Sequence, residues 1–186
     1  MPFIDTSFPD LFIFEPTVYE DRRGYFFESF NDQIFREIGI GNQWVQDNQS
    51  SSYYGVIRGL HYQLPPHAQS KLVRVLQGEI LDVVVDLRKG SPTFGNAFTI
   101  VLSAQNKRQL LVPKGFAHGF SVLSPQADVL YKCDGFYAKE SESGIIYNDP
   151  ELKIDWKIPE GKAIVSDKDL VLPSFANCQN SFEYEG

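Results

Sequence analysis

The sequence holds little that would staple a fold from outside or anchor it in a membrane. Only two cysteines occur in 186 residues, Cys133 and Cys178, far apart and without C-x-x-C or framework spacing. No disulfide scaffold is written into such a chain, and two free thiols in a reducing compartment is the simplest reading. No apolar stretch approaches the roughly 18 residues of a membrane span. The opening MPFIDTSFPD carries charge and proline where a secretory signal needs a basic start and an apolar run. A soluble cytoplasmic protein is expected. Positive charge is in deficit, 17 Lys and Arg against 24 Asp and Glu for a net charge of −7. A phosphate-rich polymer is repelled by that balance, so nucleic acid is not an expected partner. Low-complexity tracts, linkers and internal repeats are also missing, which makes residues 1–186 a single expected domain.

What the chain does have is core material, 42% hydrophobic residues with 15 Phe and 9 Tyr. The clearest element is KLVRVLQGEILDVVVDL, residues 71–87, where Gly78 separates two β-branched runs. Leu81, Val83, Val85 and Leu87 alternate there with Asp82, Val84 and Asp86, so the segment reads as a hairpin with one core face. Similar short runs recur at 98–102, 109–112, 119–123 and 129–133, separated by Gly, Pro, Asn and Ser. Such spacing predicts an antiparallel sandwich or barrel, with its core over roughly residues 45–135. One short helix is expected at 31–38, capped by Asn31, striped by Ile34, Phe35 and Ile38, and stopped by Gly39.

Two of the three histidines sit in glycine-containing segments, GVIRGLHYQ and VPKGFAHGF. Pro113, Gly115 and His118 form P-x-G-x-x-H, and Gly55 precedes His61, spacings that resemble the two motifs of the cupin barrels. Metal-binding cupins use a His-x-His pair, a Glu and a further His as ligands. Here Gln63 stands for the second His and Lys71 for the acidic ligand, and an ammonium does not ligate a cation, so no metal is expected. The residues that remain, His61, Lys71 and Arg58, suit carbanion chemistry. A base near neutral pKa removes a proton beside a ketone, and a cation meets the charge on the enolate oxygen. Spacing alone leaves open that His61 is a hydrogen-bonded barrel histidine and Lys71 a solvated strand-end lysine.

Longer blocks bear on that choice: DRRGYFFESF (21–30), QDNQSSS (46–52), GVIRGLHYQLPPHAQSKLVRVLQGEILDVVVDLRKGSPTFG (55–95), LVPKGFAHGF (111–120), YKCDGFY (131–137) and SDKD (166–169). In order and spacing they resemble the dTDP-4-dehydrorhamnose 3,5-epimerases over nearly the whole chain. The resemblance implies an all-β, cupin-like jelly-roll barrel with a few short helices. It also implies a cofactor-independent isomerase that inverts both carbons flanking the ketone of a dTDP-linked 4-keto-6-deoxyhexose, in dTDP-L-rhamnose biosynthesis. By that resemblance His61 is the base, Asp169 its partner, Lys71 the enolate cation and Tyr131 the proton donor on the opposite face. Arg23 and Arg58 would take the diphosphate, Glu28, Gln46, Asn48 and His118 further pocket positions, and Phe26 and Tyr137 the nucleotide base. Family members form homodimers through exchanged N-terminal strands, so Phe8 to Phe14 is expected to lie against a partner.

The chain departs from the family pattern near the expected nucleotide end, with Tyr147 where Trp is usual, and in DWKIPEG, which lacks the usual proline after the Trp. The same residues would serve an enzyme that inverts C3 or C5 alone on another nucleotide-linked keto sugar. A non-catalytic cupin-like sugar-binding protein is opposed by the joint presence of base, cation and acid. A metal-dependent cupin isomerase or dioxygenase is opposed by Gln63 and Lys71.

Overall fold

The computed structural model describes residues 2–41 and 43–186. Strands are numbered in chain order. One sheet runs β1 (Phe3–Asp5), β2 (Phe12–Phe14), β10 (Gln109–Val112), β7 (Lys71–Gln77), β12 (Gln126–Cys133), β5 (Gln46–Tyr53). The facing sheet runs β13 (Glu142–Gly144), β6 (Ile57–Gln63), β11 (Phe116–Val122), β8 (Glu79–Asp86), β9 (Ala97–Ser103). A separate two-stranded hairpin is formed by β3 (Val18–Asp21) and β4 (Gly24–Phe27). The pairings between these strands are antiparallel.

The segment 71–87 is two strands but not a hairpin. β7 pairs with β10 and β12, and β8 pairs with β11 and β9, so the chain crosses from one sheet to the other at Gly78. Gly78 has φ +77°, and a Cβ there would stand 2.1 Å from the carbonyl oxygen of Gln126, so only glycine turns this corner. The single core face is also corrected, because all of β8 beyond its first residue is buried. Ile80 and Val84 face the barrel interior with Val73, Val75, Phe116 and Phe120. Leu81, Val83, Val85 and Leu87 face outward beneath a cover from the C-terminal region, which supplies Ile145, Leu152, Trp156 and Phe182. Tyr147 belongs to that cover, its ring tilted against Trp156 at 6.5 Å and its backbone carbonyl accepting the indole N–H.

The helix falls where the sequence puts it, Asp32–Glu37 (α1), with the Asn31 side chain accepting from Gln33 N and Gly39 at φ +84°. Phe35 alone of its stripe is fully buried, among the rings of Phe3, Phe14 and Phe30. The apolar opening is occupied within its own chain: Phe8, Leu11 and Phe14 are 8%, 1% and 3% exposed, and β2 pairs with β10. No helix among the described residues is long and apolar enough to cross a membrane.

Both ends of the chain are fastened by one buried ion pair. Asp86 accepts from Arg88 Nε and Nη2 at 3.0 and 2.9 Å, and from Ser91 Oγ and Thr93 Oγ1 at 2.6 and 2.7 Å. Arg88 also reaches Asp10 Oδ2 at 2.7 Å and stacks on Phe116 and Tyr184. Burial pushes the Asp86 carboxyl up, but the Arg88 and Ser91 hydrogen bonds outweigh it and hold it below the ordinary 3.8. The stabilisation is therefore complete above that value and is lost as pH falls through the lowered one. Arg88→Leu, which strands the carboxylate, should cost about 3–5 kcal/mol in urea unfolding at pH 7. The stability gap between wild type and Asp86→Asn should narrow below about pH 4.

Candidate active site

The interior between the sheets is apolar at one end and polar at the other. On the five-stranded sheet the backbones of β6 and β11 approach so closely that a Cβ on Gly59 would lie 2.5 Å from Gly119 Cα. One on Gly119 would lie 2.6 Å from the Arg58 carbonyl oxygen. This contact sets His61 directly opposite His118 in the register of the two strands. On the facing sheet β7 and β12 present Lys71 and Tyr131, with the Lys71 Nζ 5.8 Å from the Tyr131 ring centroid.

These four side chains line one cavity of about 490 Å³, together with Arg58, Ser50, Lys168 and Asp169. Asp169 arrives from the short helix α2, Asp167–Leu170, whose first turn is capped by Ser166. Its Oδ1 lies 2.7 Å from His61 Nε2, and its Oδ2 accepts from Gly59 N at 3.4 Å, closing 108 residues of chain into a His–Asp pair. Burial raises the Asp169 carboxyl, yet the hydrogen bond and charge of His61 more than offset this and hold it below the ordinary 3.8. An ionised Asp169 fixes the Nε2–H tautomer and leaves the lone pair on His61 Nδ1. Burial pushes the Tyr131 phenol up, so it keeps its proton at neutral pH. Burial pushes the Lys71 ammonium down, partly countered by Cys133, Asp82 and Glu142.

A smaller adjoining cavity of about 170 Å³ is lined by Gln46, Asn48 and Tyr137 with His61, Lys71 and Tyr131. Gln46 donates to Asn48 Oδ1 and accepts from Tyr137 N, both at 3.0 Å. Arg58 Nε donates to Ser52 Oγ at 3.0 Å. His118 is 5% exposed and bonded to Asp82. Gln63, the residue in the metal-ligand position, spends its amide on the backbone of His67, Phe136 and Ala138.

Arg23, Phe26 and Glu28 are not brought to this cavity. Arg23 and Phe26 are carried by the β3–β4 hairpin, with the Arg23 side chain 84% exposed and forked onto Asp21. These residues line separate hollows, Phe26 and Glu28 sharing one with Pro16 and Ile34. Two cavity residues, Glu142 and Lys168, and the buried partner of His118, Asp82, escape the sequence reading. Asp82 looks like the wet face of a hairpin until its strand proves buried on both sides. Glu142 and Lys168 pair at 2.6 Å across the rim, and no motif spacing joins them.

The family model described as dTDP-4-dehydrorhamnose 3,5-epimerase matches residues 5–177. A Shigella flexneri protein of that name is 53% identical over 171 residues, covering 91% of this chain and 93% of its own. The solved structure of the dTDP-4-dehydrorhamnose 3,5-epimerase from Elizabethkingia anophelis superposes with a TM-score of 0.92 at 53% identity, covering 96% of this chain and 98% of that one. The Legionella pneumophila dTDP-6-deoxy-D-glucose-3,5-epimerase, solved in complex with dTDP-4-keto-L-rhamnose, superposes at 0.94 with 48% identity over 99% of this chain and 98% of that one. Sequence motifs, a two-sheet jelly roll and nearly full-length matches agree, and this chain belongs to the dTDP-4-dehydrorhamnose 3,5-epimerase family, with the cupin-like fold of its solved neighbours.

Proposed function

We propose that the chain epimerises dTDP-4-keto-6-deoxy-D-glucose at C3 and C5 to dTDP-4-keto-L-rhamnose, without cofactor, in dTDP-L-rhamnose biosynthesis. The observation that carries this reading is the His61–Asp169 pair at 2.7 Å facing Lys71 and Tyr131 across one cavity. The C4 ketone acidifies the C–H bonds on both sides. His61 Nδ1 takes the proton, the C–H electrons move into the carbonyl, and the enolate oxygen meets the Lys71 ammonium. Asp169 stabilises the imidazolium so formed. Inversion requires a proton from the other side, and Tyr131 belongs to the opposing sheet, with a phenol that burial keeps protonated. Solvent then resets both groups before the second carbon is processed.

The finer assignments follow from the same chemistry. Arg58 suits a phosphate oxygen, His118, Gln46 and Asn48 the polar wall, and Tyr137 an aromatic contact at the mouth. Arg23, Phe26 and Glu28 serve a substrate only if the exposed hairpin reaches the cavity of a second copy, which supports a homodimer. The exposed Tyr19, Tyr25 and Phe26 on that hairpin support the same assembly. A nucleotide-sugar substrate and two free thiols support a cytoplasmic setting.

In D₂O, proton NMR of the substrate with wild-type protein should report exchange at both carbons; exchange at only one would turn the assignment to a single-carbon epimerase. His61→Asn should lose exchange and inversion together by more than about a hundredfold. Tyr131→Phe should instead keep washing deuterium into the sugar while inversion slows sharply, since base and cation remain. Inversion at the wild-type rate in that variant would make water the donor. Light scattering at micromolar concentration should give twice the 21.1 kDa of one chain.

A further inference from the structure

Residues 134–138, which follow β12, belong to no strand or helix, so no ladder of main-chain bonds fixes their path. Glutamine side chains hold them instead. Gln69 Nε2 donates to the Gly135 carbonyl at 2.7 Å, and Gln46 Oε1 accepts from Tyr137 N at 3.0 Å. Gln63, on β6, takes the groups on either side of Tyr137 with one amide. Its Nε2 donates to the Phe136 carbonyl at 3.2 Å, and its Oε1 accepts from Ala138 N at 2.7 Å.

The amide of Gln63 thus stands in for the peptide of a neighbouring strand. A carboxamide carries two N–H donors and an acceptor oxygen. Its second N–H goes to the His67 carbonyl at 2.7 Å, so both donors are committed to main chain, and the side chain is 5% exposed. Tyr137 itself is 54% exposed and has little packing to hold its ring. Its hydroxyl donates to Glu142 Oε2 at 2.8 Å, which fixes the tip, while the direction in which the residue leaves the chain is set at 136 and 138. Gln63 and Tyr137 line the same smaller cavity, beside His61, Lys71 and Tyr131.

We propose that Gln63 is a positioning residue of this site: by bracketing Tyr137 it holds that ring in the cavity wall at the mouth, ready for the incoming ligand. The proposal rests on the epimerase reading only for what the ring meets there, a dTDP-linked sugar. Ordering the loop before binding spares the ligand the cost of selecting a minor conformer. Methionine has nearly the length of glutamine and none of its polar atoms, so Gln63→Met removes the bracket and keeps the volume.

The test reads Tyr137 first. In protein labelled with 3-fluorotyrosine at all 9 tyrosines, the line assigned to Tyr137 by its loss in Tyr137→Phe should shift or broaden in Gln63→Met. Binding supplies the second readout: the dissociation constant for dTDP by calorimetry, and KM for the nucleotide sugar, should rise about fivefold or more while kcat at saturation stays within about twofold. In a Tyr137→Ala background Gln63→Met should add less than about twofold, because its effect runs through the missing ring. An unmoved Tyr137 line, unchanged dTDP binding in Gln63→Met, or the full loss repeated without Tyr137 overturns the proposal. A merely structural Gln63 would lower the folded fraction and the rate and leave both constants where they were. Should Gln63→Met fail to fold, wild-type protein decides: the Ala138 amide should exchange with D₂O at least about tenfold more slowly than in a free chain, and exchange at the free-chain rate overturns the bracket. Wild-type protein that neither binds dTDP nor turns over the nucleotide sugar would sink the epimerase reading, and the fluorine spectrum would still decide whether Gln63 holds the ring.

Discussion

Inside a closed barrel an ionisable group has little water to turn to, so each must find its counterpart among the residues of the interior. That constraint organises this molecule. The apolar end, built on Val75, Ile80, Val84, Phe116 and Phe120, packs by volume and makes few demands on direction. The polar end is directional throughout: Asp169 with His61, Asp82 with His118, Glu142 with Lys168 and Tyr137. Each pair spans two elements, so meeting the electrostatic requirement also fixes the geometry. The glycine contact between β6 and β11 belongs to the same scheme, because the two histidines stand side by side only where the strands touch.

The strands were legible because their cause is local. β-Branched runs bounded by turn residues mark β7, β8, β9, β10 and β12 to within a few residues, and the Asn31 cap and Gly39 stop mark α1. Partnership was not legible, since residues 71–77 and 79–86 look like two arms of a hairpin and only the corner at Gly78 sends them to different sheets. The alternation at Leu81 to Leu87 was read as one wet and one dry face. One face lies in the barrel interior and a cover from distant C-terminal residues dries the other, and no local pattern reports such a layer.

The same distinction runs through the site. His61, Lys71, Tyr131 and Asp169 were named from motif blocks, and their convergence depends on strand order that spacing does not encode. Asp82 was visible only as one of the polar alternates of β8. Arg23 and Phe26 sit in a motif block like the others, yet the hairpin that bears them does not bring them to the cavity of its own chain, its two short strands pairing only with each other.

The His–Asp pair also joins distant parts of the chain. His61, Lys71 and Tyr131 belong to strands complete by residue 133, whereas Asp169 follows 36 positions after that strand ends. In chain order the base, cation and proton donor therefore precede the acid that sets the tautomer of the base. The tautomer of the base is thus set by one small contact, α2 against β6, which the strands carrying the other three groups do not supply.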